Sequence, residues 1–233
     1  MTLIYKKRRT FVIFILLIIL IFVINLNTPK IAETIITSQP KSNQIITSPA
    51  IDILKTLIIK DRESNLDYSR EKFGSDWSNI NGCDTRNIIL NRDLINPVVD
   101  EKCNVISGIL NDPYTGKIIN FTRGKDSSSD VQIDHTVALS NAWQTGAWQF
   151  SNDDRIKLAN DPLELLAVDG ASNLEKSDGD AATWLPSNKS FRCQYVTRQI
   201  AVKQKYSLWV TQAEHDAISN ILNTCPSQQL PSA

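Results

Sequence analysis

Hydrophobic positions fall into three regimes along the chain. From Phe11 to Ile24 every residue is apolar, directly behind the basic cluster Lys6, Lys7, Arg8 and Arg9. A basic start with a short apolar core behind it is the pattern of a targeting segment. The run is short for a membrane span, which takes roughly 20 residues, and suits a signal-peptide core. Residues 1–26 are therefore expected to be a signal peptide or, because no small-x-small cleavage site comes after the run, an N-terminal membrane anchor that stays attached. Both place the body outside the cytoplasm, secreted or held on the outer face of the cytoplasmic membrane, since the basic cluster stays inside. Residues 27–50 are rich in Ser, Thr, Pro, Asn and Gln, half repeat "IITSQP" as "IITSPA", and read as a linker.

From residue 51 to 233 the apolar positions come in short runs of two periods with no second linker, the pattern of one compact α+β domain. Ser48 and Pro49 offer an N-cap and a first-turn proline to a helix with Ile51, Leu54 and Ile58 on one face. Residues 103–122 break around Asp112-Pro113 and Thr115-Gly116 and predict a β-hairpin. "VQIDHTVALS" (131–140) reads as a strand, "SNDDRIKLAND" as a brief helix with a serine cap, and "LELLAV" as a second strand ended by Asp169-Gly170. "ASNLEKSDGDAATW" begins another helix. "CQYVTRQIAVKQKYSLW" places Tyr195, Val202, Tyr206 and Trp209 on one helical face, and "TQAEHDAISNIL" predicts a closing helix.

Composition changes this picture in two places. The formal net charge is zero, with 25 basic and 25 acidic residues, but five of the basic ones lie in the first 32 positions, where no acid occurs. The body is thus net −5, which excludes a pervasively basic surface and confines any nucleic-acid contact to a local patch. The four cysteines, Cys83, Cys103, Cys193 and Cys225, show no C-x-x-C pairing, which argues against thiolate zinc. In an exported chain they read as two disulfides with three connectivities open. Nearest-in-sequence pairing, Cys83–Cys103 and Cys193–Cys225, is the expected one.

Candidate chemistry centres on Asp134-His135, which carries one of two histidines in the chain. Such a pair is either a strand end whose imidazole bonds a local carbonyl or a metal ligand beside a general base. The second reading gains from the elements downstream, a strand, an Asp-Gly turn and a helix start bearing Asn173 and Lys176. Strand, strand, helix can frame one metal ion, with Asp134 and Asn173 as hard oxygen ligands and water and phosphate completing the shell of Mg²⁺, or of Mn²⁺ or Ca²⁺. His135 would be the base, with an unperturbed pKa near 6.5. In a regular strand, however, Asp134 and His135 point to opposite faces, so the strand has to bend or end there. Lys176, one turn beyond Asn173, is a candidate to balance phosphate charge. Arg86, Arg92 and Arg123 are weaker candidates for phosphate contacts. Trp143, Trp148 and Trp184 read as core in preference to base-stacking platforms, and His215 as a surface residue of the last helix.

At these positions the chain resembles the HNH, or His-Me finger, nucleases, and in particular exported HNH proteins related to the C-terminal domain of the GmrSD restriction endonucleases. The matching blocks are "NGCDTRNIILNRDL", "SGILNDPYTGKIINFTRG", "VQIDHTVALSNAWQTGAW" and the stretch from "ANDPLELLAVDGASNLEKSDGDAATW" to "YSLWVT", covering about residues 81–211. The Asp-His, then Asn-x-x-Lys, pattern is also similar to the HNH domain of RNA-guided CRISPR nucleases. The resemblance implies a ββα-metal core in a single mixed domain with flanking helices, His135 as general base, and Asp134 and Asn173 as metal ligands. It implies nucleic acid as substrate, DNA ahead of RNA. The chain departs from the family at Glu164, where an asparagine that braces the base-bearing loop is common; Asn160 is a nearby substitute. That departure leaves open a different class of function, a secreted nucleic-acid or cell-surface binding module with a degenerate site. A metallopeptidase is disfavoured, since two histidines and no H-E-x-x-H helix are present.

Overall fold

The computed structural model describes residues 49–125 and 128–231, which belong to one compact unit, Ile46–Ala233. The expected targeting segment and nearly all of the expected linker lie outside the described residues. The architecture is α+β, and its centre is a two-stranded ribbon. In that ribbon β6 (Val131–His135) pairs antiparallel with β7 (Leu165–Asp169) in the register Val131↔Asp169 to His135↔Leu165. Side chains alternate across a strand, so the ribbon has two faces. Val131, Ile133, Leu165 and Ala167 pack into one core with Ile89 and Leu90 of α2 (Thr85–Asp93), Val105 and Leu110 of β4 (Val105–Asn111), and Phe121 of β5 (Ile118–Thr122). Leu166 and Val168 pack into a second core with Tyr195, Val196 and Ile200 of α6 (Arg192–Lys205) and Ile218 and Leu222 of α7 (Gln212–Leu222). Because both faces are buried, β7 reads as a nearly continuous apolar run rather than an alternating one.

The hairpin forms where the turn residues place it, as β4 and β5. It gains a third strand, β3 (Ile95–Val99), which carries Pro97 and a left-handed Asn96 and pairs with shifts of register. Those two residues remove the alternating signal on which a strand prediction rests. Upstream lie the short pair β1 (Asn79–Ile80) and β2 (Cys83–Asp84). The long connection from β6 to β7 holds α3 (Leu139–Gln144) and α4 (Asn152–Ala159), whose Ser151 side chain accepts from the Asp154 amide. After β7 the chain turns directly into α5 (Gly170–Lys176), capped by Asp169 accepting from Ser172. Gly170 is required there, since a Cβ would sit 2.0 Å from the Ser129 carbonyl oxygen.

Two helix expectations need correction. The first helix, α1 (Ala50–Leu54), ends before Ile58, which is exposed, because residues 58–60 instead bond Val210 in an extended bridge. Helix α6 stops at Lys205, and left-handed Ser207 turns the chain, so Trp209 lies beyond the helix with its amide on the Thr145 carbonyl. Among the described residues no helix is long and apolar enough to cross a membrane.

Cys83 bonds Cys103, and Cys193 bonds Cys225. The first ties β2 to the turn after β3; the second ties the start of α6 to the chain beyond α7. Peptide mapping without reductant should recover these two pairs, and reduction should lower stability by about 2–4 kcal/mol per bridge. Recovery of a cross-linked pair such as Cys83 with Cys193 would contradict the arrangement.

Candidate active site

His135 is the last residue of β6 and Asp134 the one before it, so their side chains leave opposite faces of the ribbon. The imidazole lies flat against Trp77, with ring centroids 5.7 Å apart and planes 6° from parallel. Its Nε2 is 2.9 Å from the carbonyl oxygen of Ala159 at the end of α4. A carbonyl only accepts, so Nε2 carries the proton and Nδ1 keeps its lone pair. Burial lowers the imidazole pKa to about 3; the Ala159 bond opposes this, while the charges of Arg70 and Lys176 add to it. At neutral pH the ring is therefore uncharged, with a bare Nδ1.

Asp134 is buried against the other core, and both its oxygens are engaged. Oδ1 accepts from Lys176 Nζ at 2.8 Å, and Oδ2 accepts a short bond from the Tyr114 hydroxyl. Burial pushes this carboxyl up, while Lys176 and Tyr114 pull it down. The phenol of Tyr114, raised well above its ordinary value by burial and by the neighbouring charge of Asp134, stays protonated as the donor. Tyr114 reaches this position from the hairpin tip. Asp112 there takes the amide of Thr115 and, with its other oxygen, the amide of Asp169 at the start of α5.

Lys176 is 2% exposed and also donates to the His135 carbonyl oxygen at 2.8 Å. Its ammonium thus pins the backbone at the Asp134-His135 pair, and does not face open solvent as a phosphate contact would. Asn173, half-buried on the same helix, donates from Nδ2 to Gln132 Oε1 at 2.8 Å, leaving Oδ1 as its acceptor end.

A cavity of about 270 Å³ brings Asp134, His135 and Asn173 together with Tyr68, Arg70 and Ser177. It touches three successive residues of β6, Ile133 to His135, and Asn173 and Leu174 of α5. The opposite-face geometry holds: Asp134 and His135 border one cavity, but Asp134 is 5% exposed and has both side-chain oxygens engaged.

The turn after the histidine is held by Glu164. Its carbonyl accepts from the Thr136 amide and hydroxyl, and its carboxyl lies 3.2 and 3.3 Å from the Val137 amide. Asn160 follows Ala159 and accepts the Ser78 amide at 2.9 Å, fixing the chain beside Trp77. Three arginines serve edges of the fold and lie outside this cavity. Arg86 bonds the carbonyls of Ser128 and Val131, and Arg123 bonds the Val105 carbonyl and Asn87. Arg92 bonds the carbonyls of Pro162 and Leu165 beside Asp93, which takes the Ala167 amide. Side chains thereby satisfy the open edge of β7 in place of another strand. The arginine that does line the cavity, Arg70, sits in a 3₁₀ turn of "SREKFG" that carries no motif in sequence. Tyr114 had a signal: an aromatic inside a polar Asp-Pro-x-Thr-Gly turn has to find a buried place. His215 is half-buried beside Asp216, remote in sequence from these groups and absent from the cavity lining.

With this geometry in place, comparison with known proteins assigns a family. The family model for the C-terminal domain of GmrSD restriction endonucleases matches residues 84–221. The chain belongs to this GmrSD C-terminal domain family. A relative described as an uncharacterized secreted protein of Arthroderma benhamiae is 39% identical over 181 residues, 76% of this chain and 85% of that protein. No solved structure matches. The GmrSD C-terminal match begins at Asp84 and ends at Ile221, so it contains β6, β7, α5 and every hydrogen bond made by His135 and Asp134, and it ties the chain to a nuclease-related family.

Burial holds the Glu164 carboxyl well above the ordinary carboxylate range, against the pull of the Val137 N–H. The folded protein thus keeps a proton that the unfolded chain sheds near pH 4.5. This contribution to stability is full below that pH and is lost as pH rises toward the folded value, at up to about 1.4 kcal/mol per pH unit. Glu164→Gln keeps an acceptor for Val137 and removes the titration. It should flatten the fall in melting temperature as pH rises above about 4.5; an unchanged fall would show that Glu164 is ionised in the folded state.

Proposed function

We propose that the protein is an endonuclease that hydrolyses phosphodiester bonds of nucleic acid, DNA ahead of RNA, outside the cytoplasm with the help of a divalent cation. The observation that carries the reading is His135, a neutral imidazole whose Nε2–H is fixed on a carbonyl and whose ring lines a cavity shared with Arg70 and Asn173. Two disulfides and a relative described as secreted support action in an oxidising compartment. Strands β6 and β7 with α5 are read as the ββα core of a His-Me finger.

The donor set suits one class of metal and not another. Among the described residues no group of three or more His, Cys, Asp or Glu stands together, which disfavours a zinc-type cage. Asp134 and Asn173 fit a hard ion such as Mg²⁺: each carboxylate oxygen has a second lone pair, and water and phosphate supply the remaining ligands. Lys176 already neutralises Asp134, so Asp134, Asn173 and Lys176 together carry no net charge and the ion would be held chiefly with substrate.

In this mechanism His135 Nδ1 takes a proton from water as it attacks phosphorus. Arg70 balances the phosphate charge within the same cavity. A ring held neutral is always ready as an acceptor but is a weaker base, and the arriving phosphate anion raises its basicity. Glu164 and Asn160 keep the ring's surroundings in place, and Lys176 and Tyr114 keep Asp134 in place. An ion held by Asp134 and Asn173 would stabilise the negative charge building on the phosphate and leaving oxygens.

A second reading, a binding module with a silent centre, is favoured by one observation, the engagement of both Asp134 oxygens by Lys176 and Tyr114. Incubation with plasmid and RNA, with Mg²⁺ or with chelator, decides between the two. Cleavage that chelator abolishes is expected, and binding without cleavage under Mg²⁺, Mn²⁺ and Ca²⁺ selects the second. His135→Ala should lose roughly 10²–10⁴ in rate. Asn173→Ala should be partly restored by high Mg²⁺. A folded His135→Ala variant with nearly full activity would remove the base assignment.

A further inference from the structure

A second cleft, of about 710 Å³, draws part of its lining from the same 3₁₀ turn as the first. Arg70 lines the His135 cavity, and the next two residues, Glu71 and Lys72, line this one. Its other walls are Trp143, Trp148, Phe150, Asn152, Arg155 and Ile156. Of the three tryptophans expected to be core, Trp184 packs partly buried against the second core, and the two in this cleft divide: Trp143 is 7% exposed, whereas Trp148 is 46% exposed.

The charges in this cleft are unusual for a net acidic body. Arg155 is 8% exposed and bonds the carbonyls of Lys72 and Phe150 and the Asn152 side chain, with no carboxylate partner among the described residues. Lys72 reaches the Asp67 carbonyl, lies 4.7 Å over the Trp143 ring, and also has no ion pair among the described residues. Glu71 is the one acid lining the cleft. An exposed lysine without an ion pair beside a half-exposed indole combines what an unstacked nucleotide needs, a π-face for the base and positive charge for the phosphate, while Arg155 stays buried on its carbonyls and holds the cleft wall. This is the local basic patch to which a net −5 body confines nucleic-acid contact. A duplex keeps its bases stacked inside and offers them to no such platform.

We infer that this cleft binds a base of single-stranded nucleic acid, with Trp148 as the stacking platform and Lys72 as the phosphate contact, and thereby sets a preference for unpaired strands at the His135 site. The inference rests on the nuclease reading. Because Arg70 lines one cavity and the next two residues, Glu71 and Lys72, line the other, the inference places the stacked base near the cut.

The test uses the full chain in chelator, with fluorescence anisotropy of a labelled single-stranded oligonucleotide and of the same sequence as duplex. Wild type should bind the single strand more tightly. Trp148→Ala should weaken single-strand binding by about 5- to 100-fold, Trp148→Phe should restore most of it, and duplex affinity should stay within about twofold. Lys72→Ala should reduce the slope of log affinity against log salt by about 0.7, one phosphate contact on a single strand. Thermal melts accompany each variant; should Trp148→Ala not fold, Trp148→Gln and the Lys72 slope carry the test. Equal single-strand affinity of wild type and Trp148→Ala, or Trp148→Gln in its place, overturns the inference, as does wild-type preference for duplex. If wild type still cleaves nucleic acid in Mg²⁺ in those cases, the nuclease reading survives alone; if it neither binds nor cleaves, both fall.

Discussion

The buried pair of Asp134 and Lys176 is the interaction on which the rest of the site depends. It joins the ribbon to the helix that follows it, and the same ammonium holds the carbonyl of His135. Its two charges are almost wholly out of water, so neither tolerates loss of the other; removing one partner of such a pair costs about 3–5 kcal/mol. Tyr114 closes the remaining oxygen and brings the hairpin tip with it, and Asp112 fastens that tip to the start of α5. Strand, helix and hairpin are thus locked at one point, and β6 ends there with a fixed exit direction.

From that fixed point the two sides of β6 take different work. One face turns Asp134 into a polar cluster inside the second core. The other ends in His135, which meets Trp77 and the last carbonyl of α4 instead of further apolar packing. The ring's protonation follows from the carbonyl and from burial, with no carboxylate partner needed. Glu164 works on the next two residues, its backbone carbonyl taking Thr136 and its carboxyl taking the Val137 N–H, so the turn is braced from both parts of the residue. A protonated acid suits the place better than an ionised one, since it accepts the Val137 N–H without carrying a buried charge toward Asp134.

Much of this is legible in the chain. The ribbon, its Asp-Gly exit, the serine-capped α4 and the hairpin follow from periodicity and turn chemistry, which act locally. Asp134, His135, Asn173 and Lys176 stand out by spacing, and three of them do line one cavity. The features that escape a reading of the sequence depend on contacts distant along it. Arg92 looks like a free surface cation until the edge of β7 is seen to need donors. Lys176 looks like a phosphate contact until its ammonium is seen beneath the strand. Arg70 and Trp77 belong to a stretch without regular period, and nothing local aims them at residue 135. Strand β3 is hidden by Pro97 and Asn96, which a bulged edge strand accommodates and a regular one does not.

The central claim is that His135 is a neutral imidazole protonated at Nε2, which leaves Nδ1 as the ring's acceptor. The most direct measurement is ¹⁵N NMR of the histidine side chains in the full chain, with His215→Gln used to assign the two rings. The account predicts the Nε2–H tautomer at neutral pH and the same neutral ring at about pH 5, well below the ordinary histidine value of about 6.5. An Nδ1–H tautomer, or an imidazolium already formed at about pH 6, would contradict it.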